Sequence, residues 1–247
     1  MFSWKTFLGE LRNNIFGIVN VTNDSFTGDG ILGKTQSINQ IYKKAEQKDI
    51  QFLDIGCQST KPNFRPISTK EEMKRFNSFL EVKKDSFSFS IDTFNPVIAQ
   101  RAVENDFCAV NDVSGAQNSE MLKIVKDYSA GIIIVHRNPA SSFIHEKVNY
   151  KNIITDVKND LRIQIKHVLA SGIGKEKIAI DLGLGFGKTM EQSATLLESI
   201  GQFVGEYPLV VGYSKKKFTT LLKASDDDLL NHCKKNAVSL VRLHVVD

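Results

Sequence analysis

Eight short apolar runs recur along the chain, each rich in Ile, Val, Leu or Phe. Between most of them lie stretches whose apolar residues fall at helical spacing, as in Ile38, Ile41, Tyr42 and Ala45. The alternation predicts parallel strands joined by helical crossovers, and eight strands favour a closed barrel over an open sheet. No low-complexity linker interrupts the pattern, so residues 1–247 are expected to form one domain.

Polar, proline and helix-capping residues set the expected boundaries of the strands and helices. Strands are predicted at 15–21, 50–56, 87–92, 107–112, 131–136, 178–181, 208–212 and 238–244. Ser68 or Thr69 would cap a helix with acids in its first turn, and Pro96 would open another that runs to Val103. Further helices are expected at about 121–125, 153–169, 189–203 and 229–235. The last strand is almost the end of the chain, so the predicted barrel lacks a helix after strand eight.

A polar or ionisable residue stands at or just beyond the end of each apolar run. In a closed parallel barrel all strands end on one face, so these groups would form one ring and gather a site from scattered sequence. The ring consists of Asn20, Asp54, Asp92, Asn111, His136, Asp181, Ser214 with Lys216, and Arg242 with His244.

Composition excludes several classes of protein. The 247 residues carry a net charge of +4 and three cysteines without metal-binding spacing, which predicts a reducing, cytoplasmic setting without disulfides. The N-terminus has no apolar signal segment, and no apolar run is long enough to span a bilayer. The lysines at 215–217 are too short a basic cluster to indicate nucleic-acid binding.

The glycine-rich segment 183–189 invites comparison with a phosphate-binding loop. Leu182 occupies the position where that loop requires its first glycine, so the segment is interpreted as a flexible strand-to-helix turn. Asp181 directly before it could accept paired N–H donors from a guanidine-like ring edge, with Asp92 and Asn111 contacting other ring atoms. For each residue alone, a helix cap or an ion pair with lysine is the competing interpretation.

A second group of residues suits an anion with a divalent metal. A diphosphate needs several cations and donors, and Mg²⁺ usually takes few protein ligands. Arg242 and His244 lie two residues apart and would share one face of a strand. Asn20, Asp24 and Lys61 would complete this group, while Cys57 beside it is interpreted as a buried, inert thiol.

Seven segments, in order along nearly the whole chain, resemble the signatures of dihydropteroate synthases. They are FGIVNVTNDSF (16–26), DIGCQSTKP (54–62), SIDTFNP (90–96), VNDVSG (110–115), DLGLGFGK (181–188), VGYSKKKF (211–218) and RLH (242–244). The resemblance implies a (β/α)8 TIM barrel and a cytoplasmic transferase of folate biosynthesis that is a sulfonamide target. Such an enzyme joins 6-hydroxymethyl-7,8-dihydropterin diphosphate to 4-aminobenzoate, giving 7,8-dihydropteroate and diphosphate with the help of Mg²⁺.

The resemblance also implies roles for individual residues. Asp92, Asn111, Asp181 and Lys216 would hold the pterin, and Asn20 would ligate the metal. The residues expected to act in catalysis are Asn20, Lys216, Arg242 and His244. Those expected around the diphosphate and 4-aminobenzoate are Thr60, Lys61, Ser214, Lys217, Arg242 and His244, with the loops 22–30 and 59–68 closing over the aminobenzoate. Asp54 and His136 are interpreted as supporting residues, and a homodimer is one expected assembly.

Departures from the family pattern keep alternatives open. Lys61 keeps a positive charge where the family has arginine but loses the bidentate fork. Other substitutions are Asn23 for proline, Leu182 for proline, Lys217 for serine, Arg137 for methionine and Val245 for aspartate. With the missing final helix, they leave a non-catalytic or regulatory pterin-binding homologue as the alternative. A methyltetrahydrofolate-binding methyltransferase domain ranks last, because it has no use for Asn20 or the Arg242 and His244 pair.

Overall fold

The strands close into a parallel barrel. The computed structural model describes residues 2–21, 31–59, 65–141 and 145–245, with the backbone alone for 31–37. Neighbouring strands pair in chain order, and the eighth pairs with the first, as predicted. The strands are β1 Ile15–Asn20, β2 Phe52–Gly56, β3 Ser88–Asp92, β4 Ala109–Asp112, β5 Gly131–Val135, β6 Ile178–Asp181, β7 Leu209–Gly212 and β8 Leu240–His244.

Helices pack around the barrel, and the two whose starts are predicted from Ser68 or Thr69 and from Pro96 begin there. Ser68 accepts a hydrogen bond from the Glu71 amide, and Asn95 caps the helix that Pro96 opens. Across the described part of the chain, none of the helices is long and apolar enough to cross a bilayer. The helices are α1 Trp4–Glu10, α2 Ile31–Gln47, α3 Thr69–Leu80, α4 Pro96–Val103, α5 Ser119–Asp127, α6 Ile153–Ala170, α7 Met190–Glu198 and α8 Asp226–Lys235.

Two elements differ from the sequence-based expectation. Helix α1 was not predicted, and the helix expected over 189–203 divides into α7 and a 3₁₀ turn at Ile200–Phe203. Thr189 forms a capping box with Gln192 and so stands just before α7 rather than within it. After β8 the described residues continue only to Val245 and contain no further helix.

The barrel interior changes from apolar to polar along its axis. Alternate residues of each strand point inward. At the N-terminal end the interior is closed by stacked Phe16 and Phe52, whose ring centroids lie 4.3 Å apart, and by buried Trp4 of α1. Two residues farther along β2 the inward residue is Asp54, and two farther along β8 from Leu240 it is Arg242. The inner polar groups are therefore collected at the C-terminal end.

Candidate active site

A buried carboxylate organises the floor of the site at the C-terminal end of the barrel. Asp54 has no exposed surface and accepts hydrogen bonds from Ser90 Oγ at 2.5 Å, Asn111 Nδ2 at 2.9 Å and Arg242 Nε at 2.6 Å. These donors come from three other strands, so Asp54 fixes side chains around half of the barrel. Its contacts agree with its interpretation as a supporting residue.

Arg242 bridges two carboxylates. Its Nη2 donates to Asp92 Oδ2, while its Nε holds Asp54. Burial alone would lower the pKa of Arg242, but the two carboxylates outweigh it and raise the pKa, so the guanidinium stays charged. Burial raises the pKa of Asp92 to about 7, with Arg242 opposing the shift and Asp54 adding to it.

Two acceptor atoms in this floor have no hydrogen-bond partner among the described residues. They are Asp92 Oδ1 and Asn111 Oδ1, and both are buried. Buried polar atoms in folded proteins are nearly always paired, so unpaired acceptors in a cleft indicate where a ligand donates hydrogen bonds. The structure thus places Asp92 and Asn111 together, as the sequence predicts, and leaves one oxygen of each available.

Asp181, which is buried, and Lys216, which is partly buried, carry opposite charges that attract each other. Asp181 Oδ1 accepts from the Gly183 amide at 2.7 Å, and burial raises the pKa of its carboxyl while Lys216 opposes the shift. Lys216 Nζ donates to Leu184 O at 2.6 Å and lies 5.1 Å from the centroid of the Phe186 ring. Burial lowers the pKa of Lys216 to about 8, against the attraction of Asp181 and Asp92. Its charge is therefore maintained by the acids around it.

The rim residues Asn20 and His244 end β1 and β8, and Ser214 follows β7 by two residues. Asn20 and Asp92 flank Gly56, where a Cβ would lie 3.4 Å from Asn20 Oδ1 and 3.8 Å from Asp92 Oδ2. His244 Nδ1 and Ser214 Oγ are hydrogen-bonded at 3.0 Å. The structure therefore brings Asn20 close to the Asp92 carboxylate and pairs Ser214 with His244.

Other predicted residues are placed differently. Lys217 is exposed and begins the 3₁₀ turn Lys217–Leu221 beside the rim. Thr60, Lys61 and Asp24 lie outside the described residues, as does all of the predicted loop 22–30 and part of the loop 59–68. Their expected roles stay predictions.

The donors present suit magnesium carried by a phosphate group. The described residues contain no group of three or more His, Cys, Asp or Glu side chains that could hold a metal ion by themselves. The Asn20 amide oxygen on the rim is a hard oxygen donor beside the polar floor. Mg²⁺ usually takes one or two protein ligands and completes its shell with water and substrate phosphates. Asn20 therefore fits a Mg²⁺ ion that a diphosphate helps to hold.

Sequence reasoning missed two residues beside this site. Phe186 was treated as part of a turn, but its ring packs beside the Lys216 ammonium. Lys188 was treated as a motif residue, but its ammonium is buried next to His136. A signal was available in the segment 183–189, where an aromatic residue and a lysine stand among glycines directly after Asp181.

Comparison with known proteins gives one consistent result. The family profile described as "Pterin binding enzyme" matches residues 16–244. Dihydropteroate synthase of Clostridium beijerinckii is 30% identical over 219 residues, covering 87% of this chain and 78% of its own length. The dihydropteroate synthase of Synechocystis is 31% identical, and the match covers 84% of this chain and 73% of that enzyme. A bifunctional dihydropteroate synthase/dihydropteroate reductase of Helicobacter pylori is 31% identical, and the chain spans 64% of its length.

Solved structures show the same likeness. A dihydropteroate synthase from Clostridium difficile, crystallised in the presence of pteroic acid, is 27% identical with a TM-score of 0.80, covering 94% of this chain and 91% of its own. The enzyme from Anaplasma phagocytophilum with bound 6-hydroxymethylpterin-monophosphate is also 27% identical with a TM-score of 0.80, covering 94% and 93%. The barrel and its order of elements are thus those of these enzymes.

Proposed function

The chain belongs to the dihydropteroate synthase family of pterin-binding enzymes. We propose that the C-terminal end of its barrel catalyses the condensation of a pterin diphosphate with 4-aminobenzoate. The substrates would be 6-hydroxymethyl-7,8-dihydropterin diphosphate and 4-aminobenzoate, and the products 7,8-dihydropteroate and diphosphate. The observation that carries the proposal is the pair of unpaired buried acceptors, Asp92 Oδ1 and Asn111 Oδ1, next to Asp181 and Lys216.

The pterin ring would be recognised by its N–H edge and its ring acceptors. A carboxylate accepts paired N–H donors from a guanidine-like edge well, because the hydrogen bonds are charge-assisted. Asp181 would take this edge, with Asp92 and Asn111 accepting from other ring N–H groups. The Lys216 ammonium would donate to ring acceptors on the opposite side. A flat, polar, buried floor of this kind excludes ligands that cannot satisfy its acceptors.

The diphosphate would lie on the rim above Arg242. A guanidinium has five N–H donors, so its bonds to Asp54 and Asp92 leave donors for a phosphate oxygen. Ser214 and His244 would add polar contacts, with Thr60 and Lys61 closing the site from the second loop. Asn20 would ligate Mg²⁺, which when bound neutralises charge on the leaving diphosphate.

The reaction requires the protein to position the substrates and to stabilise charge, and it does not require a strong base. Loss of diphosphate from a methylene on an electron-rich ring gives a cation-like transition state. Arg242 stabilises the departing anion, and the buried acids around the ring stabilise the electron-poor pterin. The amine of 4-aminobenzoate is nucleophilic when neutral, so holding it in line supplies the remaining advantage. Lys217 would meet its carboxylate at the exposed rim.

A diphosphate-release assay, with and without 4-aminobenzoate, tests the proposal. We expect release that depends on both 4-aminobenzoate and Mg²⁺. Tight pterin binding without release would instead support the non-catalytic pterin-binding alternative. We also propose, from the resemblance, a cytoplasmic setting and a homodimer, the latter to be measured by sedimentation.

Asp181→Asn tests the pterin site separately from turnover. Because it removes the charge of a charge-assisted pair, pterin affinity should fall by a factor that corresponds to about 1.5–3 kcal/mol. Equilibrium titration with 6-hydroxymethylpterin measures it. Glu191→Gln, an exposed carboxylate at the start of α7, is the matched control and should leave the affinity unchanged. Unchanged affinity in Asp181→Asn would remove Asp181 from the pterin site.

A further inference from the structure

A buried lysine, Lys188, lies outside the floor of the site and holds the turn that follows β6. Lys188 is 8% exposed, and its Nζ contacts His136 Nδ1 at 2.8 Å, Gly183 O at 2.9 Å and Phe186 O at 3.2 Å. These are three acceptors for the three N–H bonds of an ammonium. The lysine is thus fully used in holding the backbone of residues 183–187 against the end of β5.

His136 and Asp160 form the other half of this network. Lys188 donates to Nδ1 of His136, so the ring proton lies on Nε2, which donates to Asp160 Oδ2 at 3.2 Å. Burial, and then the nearby Lys188 charge, lowers the pKa of His136 well below its usual range, so the imidazole stays neutral. Asn138 also donates to Asp160 Oδ2, at 3.1 Å, which fixes the carboxylate. The network therefore runs from Asp160 through His136 to Lys188, which contacts the turn.

The turn needs such support because of its glycines. Gly183, Gly185 and Gly187 all have positive φ, a conformation glycine adopts easily but also leaves easily. Gly183 also passes so close to β5 that a Cβ would lie 2.2 Å from His136 O. Without contacts at its carbonyl groups, the segment would have many accessible backbone states.

The same turn anchors both Asp181 and Lys216. The Gly183 amide holds Asp181 Oδ1 at 2.7 Å, and Leu184 O holds Lys216 Nζ at 2.6 Å. Lys188 binds the carbonyls of Gly183 and Phe186, on either side of Leu184. A shift of the turn would therefore move Asp181 and Lys216 at the same time.

We propose that Lys188, oriented by His136 and Asp160, is a positioning residue for the pterin site. It fixes the 183–187 turn so that Asp181 and Lys216 face the ring in one geometry. This inference rests on the proposed function, because it takes the pterin as the ligand of those two residues. A methionine would fill the same space without the cost of burying a charge, so packing alone does not explain a lysine here.

The test compares Lys188→Met with Lys177→Met in an equilibrium titration with 6-hydroxymethylpterin. Lys177 is the matched control, since it is 7% exposed and stands just before β6, at the opposite end of the strand from Lys188. Both variants lose a buried lysine, but only Lys188→Met should lose pterin affinity. The expected loss is roughly ten- to hundredfold, the effect of weakening charge-assisted hydrogen bonds to the ring.

A second readout separates positioning from general destabilisation. Lys188 is surrounded by His136, Asp160, Asp181 and Lys216. Burial, with a smaller contribution from the positive charge of Lys216, lowers the pKa of Lys188 to about 7, and the carboxylate of Asp181 opposes the shift. One N–H donor of Lys188 is therefore lost as pH rises through about 7, below the pH at which Lys216 loses its proton. Pterin affinity of the wild type should weaken over that interval, and folded Lys188→Met should lack this weakening. Lys177→Met should retain it.

The outcomes are distinct. Pterin affinity within about threefold of wild type, with the weakening near pH 7 retained in folded Lys188→Met, would overturn the inference, because weakened charge-assisted hydrogen bonds cost more than that. Should Lys188→Met not fold, Asp160→Asn weakens the same network from its less buried end and should shift affinity in the same direction. The readout is pterin binding rather than turnover, so absence of turnover in the wild type contradicts the proposed function alone. Absence of pterin binding in the wild type would overturn both.

Discussion

At the scale of single residues, Asp54 shows how one buried charge can set several others. Its carboxylate holds Ser90, Asn111 and Arg242, and the last two of these belong to the residues predicted to meet substrate. The side chain itself is enclosed by the barrel, below the acceptors that a ligand would reach. Its contribution to the reaction would therefore be orientation, while its contribution to stability is direct.

Asp54→Asn should lower the free energy of unfolding by about 3 kcal/mol, because it leaves the buried Arg242 charge with one carboxylate instead of two. Urea denaturation followed by circular dichroism measures it. Ser90→Ala removes one hydroxyl from the same carboxylate and is the milder control, at about 1 kcal/mol. A loss no greater than that of Ser90→Ala would show that Asp92 alone stabilises Arg242.

Lys216 should set the upper pH limit of pterin binding. Its pKa is lowered to about 8, so the folded protein holds the cation below that pH and loses it as pH rises through about 8. Loss of the cation removes the largest positive influence on Asp181 and a smaller one on Asp92, which keeps its ion pair with Arg242. Affinity for 6-hydroxymethylpterin should therefore fall over this interval.

The control for this prediction is Lys216→Arg. Arginine stays protonated across the same interval, and any ionisation of the pterin itself affects both proteins equally. The ratio of the two affinities isolates the lysine. A ratio that does not change with pH would contradict the assignment of the pH limit to Lys216.

Residue identities at strand ends could be predicted from the sequence, whereas their partners could not. The ends of the apolar runs identified Asp92, Asn111 and Asp181 because strands alternate with period two and end at visible polar residues. The pairing of Arg242 with Asp54 joins positions 188 residues apart. Such contacts depend on the register of the closed barrel, which no local pattern contains.

At the scale of elements, α1 closes the N-terminal end of the barrel and should affect stability without affecting chemistry. Trp4 is 1% exposed, packs edge-on to Phe52, and its Nε1 donates to Lys177 O at 2.8 Å. Active sites of such barrels lie at the other end, so this end is available for stability alone.

Trp4→Ala should therefore lower the free energy of unfolding by about 3–5 kcal/mol. In protein that remains folded, kcat for diphosphate release should stay near the wild-type value. Urea denaturation and the release assay together measure both effects. Lys5→Ala, at an exposed neighbour on α1, is the control and should change stability by no more than about 0.5 kcal/mol. A large fall in kcat would contradict the separation of the two ends.

Helix α1 also shows a limit of periodicity. It has seven residues, too few to be stable by itself. It forms because Trp4 packs on the aromatic rings at the N-terminal end of the barrel. By contrast, the bounds of α4 follow from the sequence, because Pro96 at its first position is a local signal. The 183–187 turn falls between these cases, since its glycines were visible but the lysine that holds it contacts β5 and not its own neighbours.

At the scale of the whole molecule, the closed barrel converts an alternation in eight strands into a gradient of polarity along one axis. Aromatic rings fill the N-terminal end, and the buried charges lie together at the other. The negative and positive charges in the floor of the site are nearly equal in number. A ligand that brings its own negative charge would thus be held at the rim, near Asn20, Arg242 and His244.

Ligand binding should stabilise the whole barrel in two separable steps. A ligand at a hundred times its Kd adds about 2.7 kcal/mol to the free energy of unfolding. We expect the pterin diphosphate to raise the Tm without metal, through the floor, and to raise it further with Mg²⁺, through the rim. Chelation should reverse only the second increment.

Asn20→Ala assigns that second increment to a residue. The substitution removes the rim oxygen proposed to ligate Mg²⁺ but leaves Asp92, Asn111 and Asp181 in place. The metal-free rise in Tm should therefore be retained and the Mg²⁺-dependent rise lost. Asn13→Ala, which replaces a partly buried asparagine before β1, should retain both. A full Mg²⁺ increment in Asn20→Ala would mean that the ion is held by the diphosphate and other groups, because the amide oxygen would then contribute nothing to its affinity.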